Sequence, residues 1–420
     1  MKRLVVAAMV VAAMLGLAPV SAQPDDSWIQ RRVLNVAHAG GDLEAPHSTL
    51  YAMKTAVAAG TDVLEMDLRL SADGVLMVHH DTTVNRTTEA TGVMSDFTAA
   101  ELGALDNAYW FVPNCWSCPN EPVEAYHLRG IRTGAQPAPA GFEPADFAIP
   151  TLARVAEAFP DRILDVEIKD GPTGMAAAEA LADFIDDNGP ADRYLVASFD
   201  DAIMAHFKSL APHVATSPGL GEMTTWFGSR GPLPHHQVLQ VPPSFSGIDV
   251  VTQQFVDDAH ANDLAVWVWF NGTNDDAEAT WRHLIDLGVD ALLTGKPDAA
   301  QAVIDDEGVG FTAPAEIDPS STRRGRTIEV SVTCPAAQVD TCTGPLIVIA
   351  PHRRGHIALV ALQSIDIARG QTEAITLRIR RGAGGALRDR PTTATAIVWP
   401  SDTDTAPTVT PITISRKLRS

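Results

Sequence analysis

The residues best suited to chemistry fall in a few short clusters. His38 directly follows the apolar run Val33–Ala37. Glu65 and Asp67 lie on the run Val63–Leu68, and Glu167 and Lys169 on or just after Ile163–Ile168. Side chains alternate along a strand, so Glu65 and Asp67 share one face while Met66 and Leu68 take the other. By the same parity Glu167 and Lys169 point inward together. Two carboxylates aimed into a core are costly unless positive charge sits between them. Three convergent carboxylates suit a hard cation such as Mg²⁺ or Ca²⁺, which prefers oxygen ligands. His79-His80-Asp81 follows the short run Gly74–Val78, and only one of the adjacent histidines can face the same site as His38. Two histidines flanking a cation can act as general acid and base on a phosphodiester, with the metal and a lysine offsetting the phosphate charge. Any one of these acids alone reads as a surface or salt-bridge group. The joint pattern carries the inference.

These residues need elements that converge. From Val33 to Ile304 short apolar runs alternate with Ala/Leu-rich stretches of helical spacing. The runs are Val33–Ala37, Val63–Leu68, Ile163–Ile168, Tyr194–Ala197, His213–Thr216, Val238–Val241, Ala265–Trp269 and Ala291–Leu293. The helical stretches include Thr49–Ala59, Thr151–Phe159, Met175–Asp187, Gln253–Asn262 and Asp275–Leu287. Such alternation implies parallel strands with crossover helices. Eight strands in about 270 residues fit a TIM (β/α)₈ barrel, whose active site gathers at the carboxyl ends of the strands. A doubly wound sheet would need a Gly-rich phosphate loop after its first strand, and Ala39-Gly40-Gly41 matches no such fingerprint. The barrel is expected over residues 30–308, with an irregular aromatic insertion at about 107–148. That insertion reads either as a substrate-shaping lid over the mouth or as a disordered loop. A Pro/Ser-rich linker is expected at 309–325. The Thr/Val/Ile-rich period-2 runs of 326–420 predict a small all-β sandwich, read as a stability or spacer module ahead of a carbohydrate- or surface-binding one.

Composition sets bounds on partners and compartment. The 420 residues carry 31 basic and 52 acidic side chains, a formal net charge of −21. Such a surface repels nucleic acid and anionic membranes and argues against a nucleic-acid partner. Lys2 and Arg3, the apolar run Leu4–Leu17 and Val20-Ser21-Ala22, which ends in a small residue with a β-branched one two positions before it, predict a cleaved signal peptide over 1–22, hence a secreted or cell-surface protein. The apolar run is too short for a comfortable membrane span. Export permits disulfides, and the four cysteines form two close pairs, Cys115/Cys118 and Cys334/Cys342. A Cys-x-x-Cys can also be half of a zinc site, but no second pair lies near it.

Several segments together resemble one family. Val36-Ala37-His38-Ala39-Gly40-Gly41, Ala45-Pro46-His47-Ser48-Thr49-Leu50, Leu64-Glu65-Met66-Asp67, Ser71-Ala72-Asp73-Gly74-Val75, His80-Asp81 and Asn85-Arg86-Thr87-Thr88 are similar to glycerophosphodiester phosphodiesterases. Ile149-Pro150-Thr151-Leu152, Val166-Glu167-Ile168-Lys169, Ala197-Ser198-Phe199-Asp200, Val266–Asn271 and Gly288–Thr294 continue the match in order, across about residues 33–304. The resemblance implies a TIM barrel that hydrolyses glycerophosphodiesters or related (lyso)phospholipid-derived diesters. It implies Glu65, Asp67 and Glu167 as ligands of a divalent cation, and His38 and His80 as the acid/base pair. His80 is preferred to His79 because the family histidine directly precedes the aspartate. The resemblance implies Lys169 as a phosphate-side cation, and Arg86 and Trp269 are expected beside it on the substrate side. Glu44 matches no family ligand.

Two departures stand out. The family usually has arginine where this chain has Ala39, and Pro-Glu-Asn-Thr where it has Pro46-His47-Ser48-Thr49. The missing arginine and glutamate would be partners, so losing both avoids one buried unpaired charge. His47 or Arg86 would be the source of any replacement positive charge. Two other readings follow: a sphingomyelinase-D- or lysophospholipase-D-like enzyme acting on a lipid headgroup, and a barrel that binds metal or phosphodiester without turnover.

Overall fold

The computed structural model describes residues 28, 33–116, 118–270, 272–309, 315–334, 342–351, 357–368, 371–380, 387, 392–398 and 408–416. The expected signal peptide, 1–22, lies outside the described residues.

Strands β1 (Leu34–Ala37), β2 (Val63–Leu70), β4 (Ile163–Ile168), β5 (Tyr194–Ala197), β6 (Ala215–Thr216), β7 (Val238–Val241), β10 (Ala265–Trp269) and β11 (Ala291–Thr294) form one parallel sheet. Its order is β6-β5-β4-β2-β1-β11-β10-β7. The outer strands are bridged where Gln237 N donates to Thr216 O at 3.0 Å, so the sheet nearly closes into an eight-stranded barrel. The short strand β3 (Leu76–Val78) pairs antiparallel with the end of β2. A small hairpin, β8 (Ser244–Phe245) with β9 (Ile248–Asp249), follows β7. Helices α1 (Leu50–Ala59), α2 (Leu152–Ala158), α3 (Gly174–Asn188), α4 (Asp201–Leu210), α5 (Leu220–Ser229), α6 (Gln253–His260), α7 (Glu278–Asp286) and α8 (Pro297–Glu307) accompany the strands.

Strand parity sorts the core into two layers. Leu64, Met66 and Leu68 of β2 and Leu164, Val166 and Ile168 of β4 pack against the helices. The opposite faces fill the interior, where Val36, Val63, Leu195, Val238 and Trp267 form a plug. Trp28 closes that plug, edge-on to Trp267 with ring centroids 5.5 Å apart. Helix starts follow from capping chemistry. The hydroxyls of Thr49, Thr151 and Thr252 accept from the backbone N–H groups of Ala52, Arg154 and Phe255. Each such cap is worth about 1 kcal/mol.

The insertion is built from turns with a small core of its own. Ala108, Ile131 and Phe147 are buried together, and Tyr51 of α1 stacks on Phe147 at 4.6 Å. The Arg129 guanidinium lies over the rings of Tyr126, Tyr109 and Trp110 at 3.9, 4.2 and 4.6 Å. This stacking ties its two halves together. Both cysteine pairs are disulfides, Cys115–Cys118 and Cys334–Cys342.

The C-terminal region is all-β. Its seven strands run from β12 (Glu316–Arg324) and β13 (Thr327–Thr333) to β18 (Thr408–Arg416) in one sheet that curls over a core of Ile328, Val330, Leu346, Val348 and Leu377. The expected sandwich is thus one continuous sheet, its edges meeting where Arg380 N donates to Val360 O. The linker expected over 309–325 is shorter, because β12 occupies 316–324. Pro319 falls where the β12–β13 register shifts, between Ile317 and Ser321. An irregularity of this kind accommodates a proline that cannot donate to the ladder.

Gly41 joins β1 to the barrel mouth at φ 96°, and an added Cβ would meet Pro297 Cγ at 2.8 Å. Gly41→Ala should therefore lose about 2 kcal/mol of stability, read as a melting temperature lowered by several degrees.

Candidate active site

The β2–β4 register sets Glu65 beside Asp165 and Asp67 beside Glu167, in two levels at the carboxyl end of the barrel. Oxygen atoms of Glu65, Asp67 and Glu167 lie within 4.8 Å of one another, so these three residues could hold a metal ion. Two further observations fit one. Asp67 Oδ2 is buried without a hydrogen-bond partner. The donor set is all carboxylate oxygen, which suits a hard divalent cation. The cluster is partly neutralised by the chain itself: Lys169 Nζ lies 2.8 Å from Glu167 and 3.3 Å from Asp67. Glu65 accepts from the backbone N–H of Ala39 at 2.6 Å.

Electrostatics follow from this crowding. Burial and the Asp67 charge push Glu65 well above the ordinary carboxylate range. Burial likewise raises Glu167, against the pull of Lys169. For Asp67 burial is outweighed by Lys169, His80 and His38, and its pKa falls. Burial opposes the charge on Lys169, but Asp67 and Glu167 more than offset it. His38, a third exposed, sits 3.4 Å through Nδ1 from Asp42. Burial works against its charge, yet Asp42, Glu65 and Asp67 raise its pKa to about 10.

His80 lies on the cavity wall and His79 does not. His79 is fully buried, contacts Thr83 O through Nε2, and is pushed down to about 4 by burial. His80 Nδ1 lies 2.7 Å from Asp81 Oδ1, which leaves Nε2 for the cavity. Asp81 is in turn gripped by Arg86, through Nε at 2.7 Å and a second nitrogen at 3.1 Å. The Arg86 guanidinium also covers the Trp116 ring at 3.8 Å and donates to Trp116 O. Arg69 fixes the same loop from inside, donating to the backbone oxygens of His80 and Asp170.

Arg86 therefore does not meet the expectation of a substrate-side cation. It is not on the cavity wall and is committed to a carboxylate, an aromatic face and a carbonyl. His47 supplies no positive charge either. It is buried, both ring nitrogens lack hydrogen-bond partners, and burial followed by the Arg86 charge holds its pKa well below that of free imidazole. Among the described residues, Lys169 is the one lysine or arginine on the cavity wall. Glu44 lies outside the cluster and caps a helix, accepting from the N–H groups of Asp298 and Ala299 at the first turn of α8.

The cavity spans about 560 Å³. It takes in His38, Asp67, Glu167 and Lys169, with the rings of Phe199 and Trp269 next to Lys169. Trp116 reaches it from the insertion, its ring 5.6 Å edge-on to His80. Asp165, Gln240, Asp42 and Trp116 were given no role at the site from the sequence, and Asp81 served there only to choose His80 over His79. Asp165 shares the parity of Glu167, which could have flagged it, and Gln240 donates to it at 2.6 Å. Asp42 lies in the first strand's exit turn, a few residues after His38.

A barrel of this kind, with its carboxylates, lysine and paired histidines at the carboxyl ends of the strands, is the framework of a phosphoric diester hydrolase. Residues 38–299 match the model of the glycerophosphoryl diester phosphodiesterase family, and the chain belongs to that family. A glycerophosphodiester phosphodiesterase of Caldanaerobacter subterraneus subsp. tengcongensis is 27% identical over 274 residues, 64% of this chain and 96% of that protein. Another, from Bacillus altitudinis, is 26% identical over 272 residues, 63% of this chain and 95% of that one. A putative glycerophosphoryl diester phosphodiesterase from Silicibacter pomeroyi shares the fold, with a TM-score of 0.51 at 22% identity, covering 67% of this chain and 95% of its own.

Two consequences can be measured. Arg86→Leu should lower kcat about tenfold or more, as loss of an orienting partner does at comparable sites, with KM for a diester changed less. The folded pKa of His38 lies above its ordinary value of 6.5. Its contribution to stability is complete below pH 6.5 and is lost as the pH rises towards 10. In urea titrations with a chelator present, the stability difference between the native chain and His38→Gln should shrink across that window.

Proposed function

We propose that this protein is an exported, divalent-metal-dependent phosphodiesterase that hydrolyses glycerophosphodiesters or related phospholipid-derived diesters by acid–base catalysis between His38 and His80. The observation that carries this reading is the convergence of three carboxylates, Lys169 and two carboxylate-oriented histidines on one cavity wall.

Glu65, Asp67 and Glu167 would hold the cation, which when bound supplies Lewis-acid neutralisation of phosphate oxygens. Lys169 adds a fixed positive charge beside the phosphate. His38 carries its proton where Asp42 and Glu65 hold it and gives it to the leaving oxygen. His80, its Nδ1 on Asp81, takes through Nε2 the proton of the attacking water. One P–O bond forms to that water and one breaks to the alcohol. Trp269 and Phe199, edge to face at 5.8 Å, shape the substrate side. Calcium and magnesium both suit this oxygen donor set. Export is supported by residues 1–22 and by the two disulfides, and no helix among the described residues is long and apolar enough to cross a membrane.

The test uses purified protein with glycerophosphocholine and bis-p-nitrophenyl phosphate. A chelator should abolish turnover, and Mg²⁺ or Ca²⁺ should restore it. His80→Ala should lower kcat by about 10²–10⁴-fold. Absence of metal-dependent turnover on any diester would sink the reading in favour of a binding barrel, and full activity in His80→Ala would remove His80 from the acid–base pair.

A further inference from the structure

The ionisable side chains lining the cavity come almost wholly from its β1–β4 half. In the half built by β5 to β11 the sole charged residue on the wall, among the described residues, is Asp276. That carboxylate is occupied by Thr294 Oγ1, Trp281 Nε1 and the N–H of Gly295. The rest of this half is dominated by apolar residues such as Phe199, Leu220, Phe227, Phe245, Ile248 and Trp269. Of the twelve large apolar side chains exposed among the described residues, five line this one cavity: Trp116, Phe199, Leu220, Phe245 and Ile248. Such side chains are not randomly scattered here, and a contiguous apolar rim marks a binding surface.

The hairpin after β7 makes the point most directly. Ser246 and Gly247 turn it at φ 51° and 78°, and the register pairs Phe245 with Ile248 across the strands. Both are more than half exposed, at 51% and 58%. Packing within the barrel does not account for an apolar pair held at the rim in this way. Glycerol and a small polar headgroup offer nothing to desolvate such a wall. A hydrocarbon chain does, and the wall is continuous with the phosphate end: Lys169 Nζ lies 5.9 Å from the Phe199 ring.

We propose that the β5–β11 half of the cavity is an acyl-chain subsite, so that the preferred diester is a monoacylated glycerophospholipid rather than a deacylated glycerophosphodiester. This rests on the diesterase reading of the site. The chain runs from the phosphate past Phe199 and Trp269 to the Phe245/Ile248 hairpin. Each fully buried methylene is worth about fourfold in binding.

The experiment compares glycerophosphocholine with butanoyl-, hexanoyl- and octanoyl-lysophosphatidylcholine, all below their micelle concentrations, on the metal-replete full chain. kcat/KM should rise with chain length, by about tenfold or more from the unacylated to the octanoyl diester. Phe245→Ser/Ile248→Ser should flatten that slope, and the exposure of both residues spares the fold. A flat or falling slope in the native chain, with glycerophosphocholine still hydrolysed, overturns the subsite and leaves the diesterase reading standing. If no diester is hydrolysed, the diesterase reading fails, and tryptophan fluorescence titrated with octanoyl-lysophosphatidylcholine decides the subsite. Saturable binding weakened by the double variant supports it, and no binding overturns it. A flat slope together with a dimer that the double variant dissociates would assign the hairpin to a second copy of the chain, which also overturns it.

Discussion

Like charges packed at the mouth of the barrel are the constraint on which the site depends. Glu65, Asp67, Asp165 and Glu167 all point inward because parity and the β2–β4 register leave them no other direction. Unpaired, such a group would be pushed towards the neutral form by burial. Each carboxylate meets a counterweight. Asp67 and Glu167 share Lys169, Glu65 takes the N–H of Ala39, and Asp165 takes the amide of Gln240. Of these four only Asp67 is held below its ordinary pKa, and it is the carboxylate nearest to being fully compensated. The remaining electrostatic deficit is one that a bound cation would offset.

The backbone carries part of this cost. Ala39 sits at φ 46°, followed by Gly40 and Gly41 at 82° and 96°. A left-handed alanine costs about 1–2 kcal/mol. The 2.6 Å bond from its N–H to Glu65 offsets that cost and holds the carboxylate in place. The turn thus serves the site through its backbone, and the side chain at position 39 is available to vary. His47, a few residues on, is buried and uncharged. Among the described residues Lys169 is the one lysine or arginine on the cavity wall. Arg86, the nearest other candidate, is committed to Asp81, where it steadies His80 instead.

Much of this was legible in the sequence because period and position are strong signals. The eight short apolar runs became the eight barrel strands, and Glu65, Asp67, Glu167 and Lys169 met because period 2 and the carboxyl-end rule both apply to them. What was not legible depends on long-range partners. Arg86 looks like a phosphate ligand in the chain, but its fork is taken by Asp81, and Trp116, thirty residues on, covers its face and accepts its remaining nitrogen. Asp165 reads like a core-edge acid until Gln240, seventy-five residues later, is seen to reach it. β12 was masked by its composition: a Pro/Ser-rich stretch resembles a linker when neither its bulge nor its partners are known. The hairpin Ser244–Asp249 is too short to show any periodicity.

The division of the cavity follows from the same barrel logic. Parallel strands all deliver their carboxyl ends to one face, so each half of the chain contributes a contiguous arc of wall. Placing every titratable group of the described wall except Asp276 on the β1–β4 arc keeps the charges close enough to compensate one another. Apart from Gln240, which reaches Asp165, it asks little of the opposite arc in polar residues. An apolar arc is then available at no electrostatic cost, and the loops after β5, β6 and β7 have filled it with Phe199, Leu220 and Phe245. The reaction chemistry and the selection of substrate are thereby carried by different strands. With the charges confined to one arc, discrimination between substrates can rest on the apolar arc across the cavity.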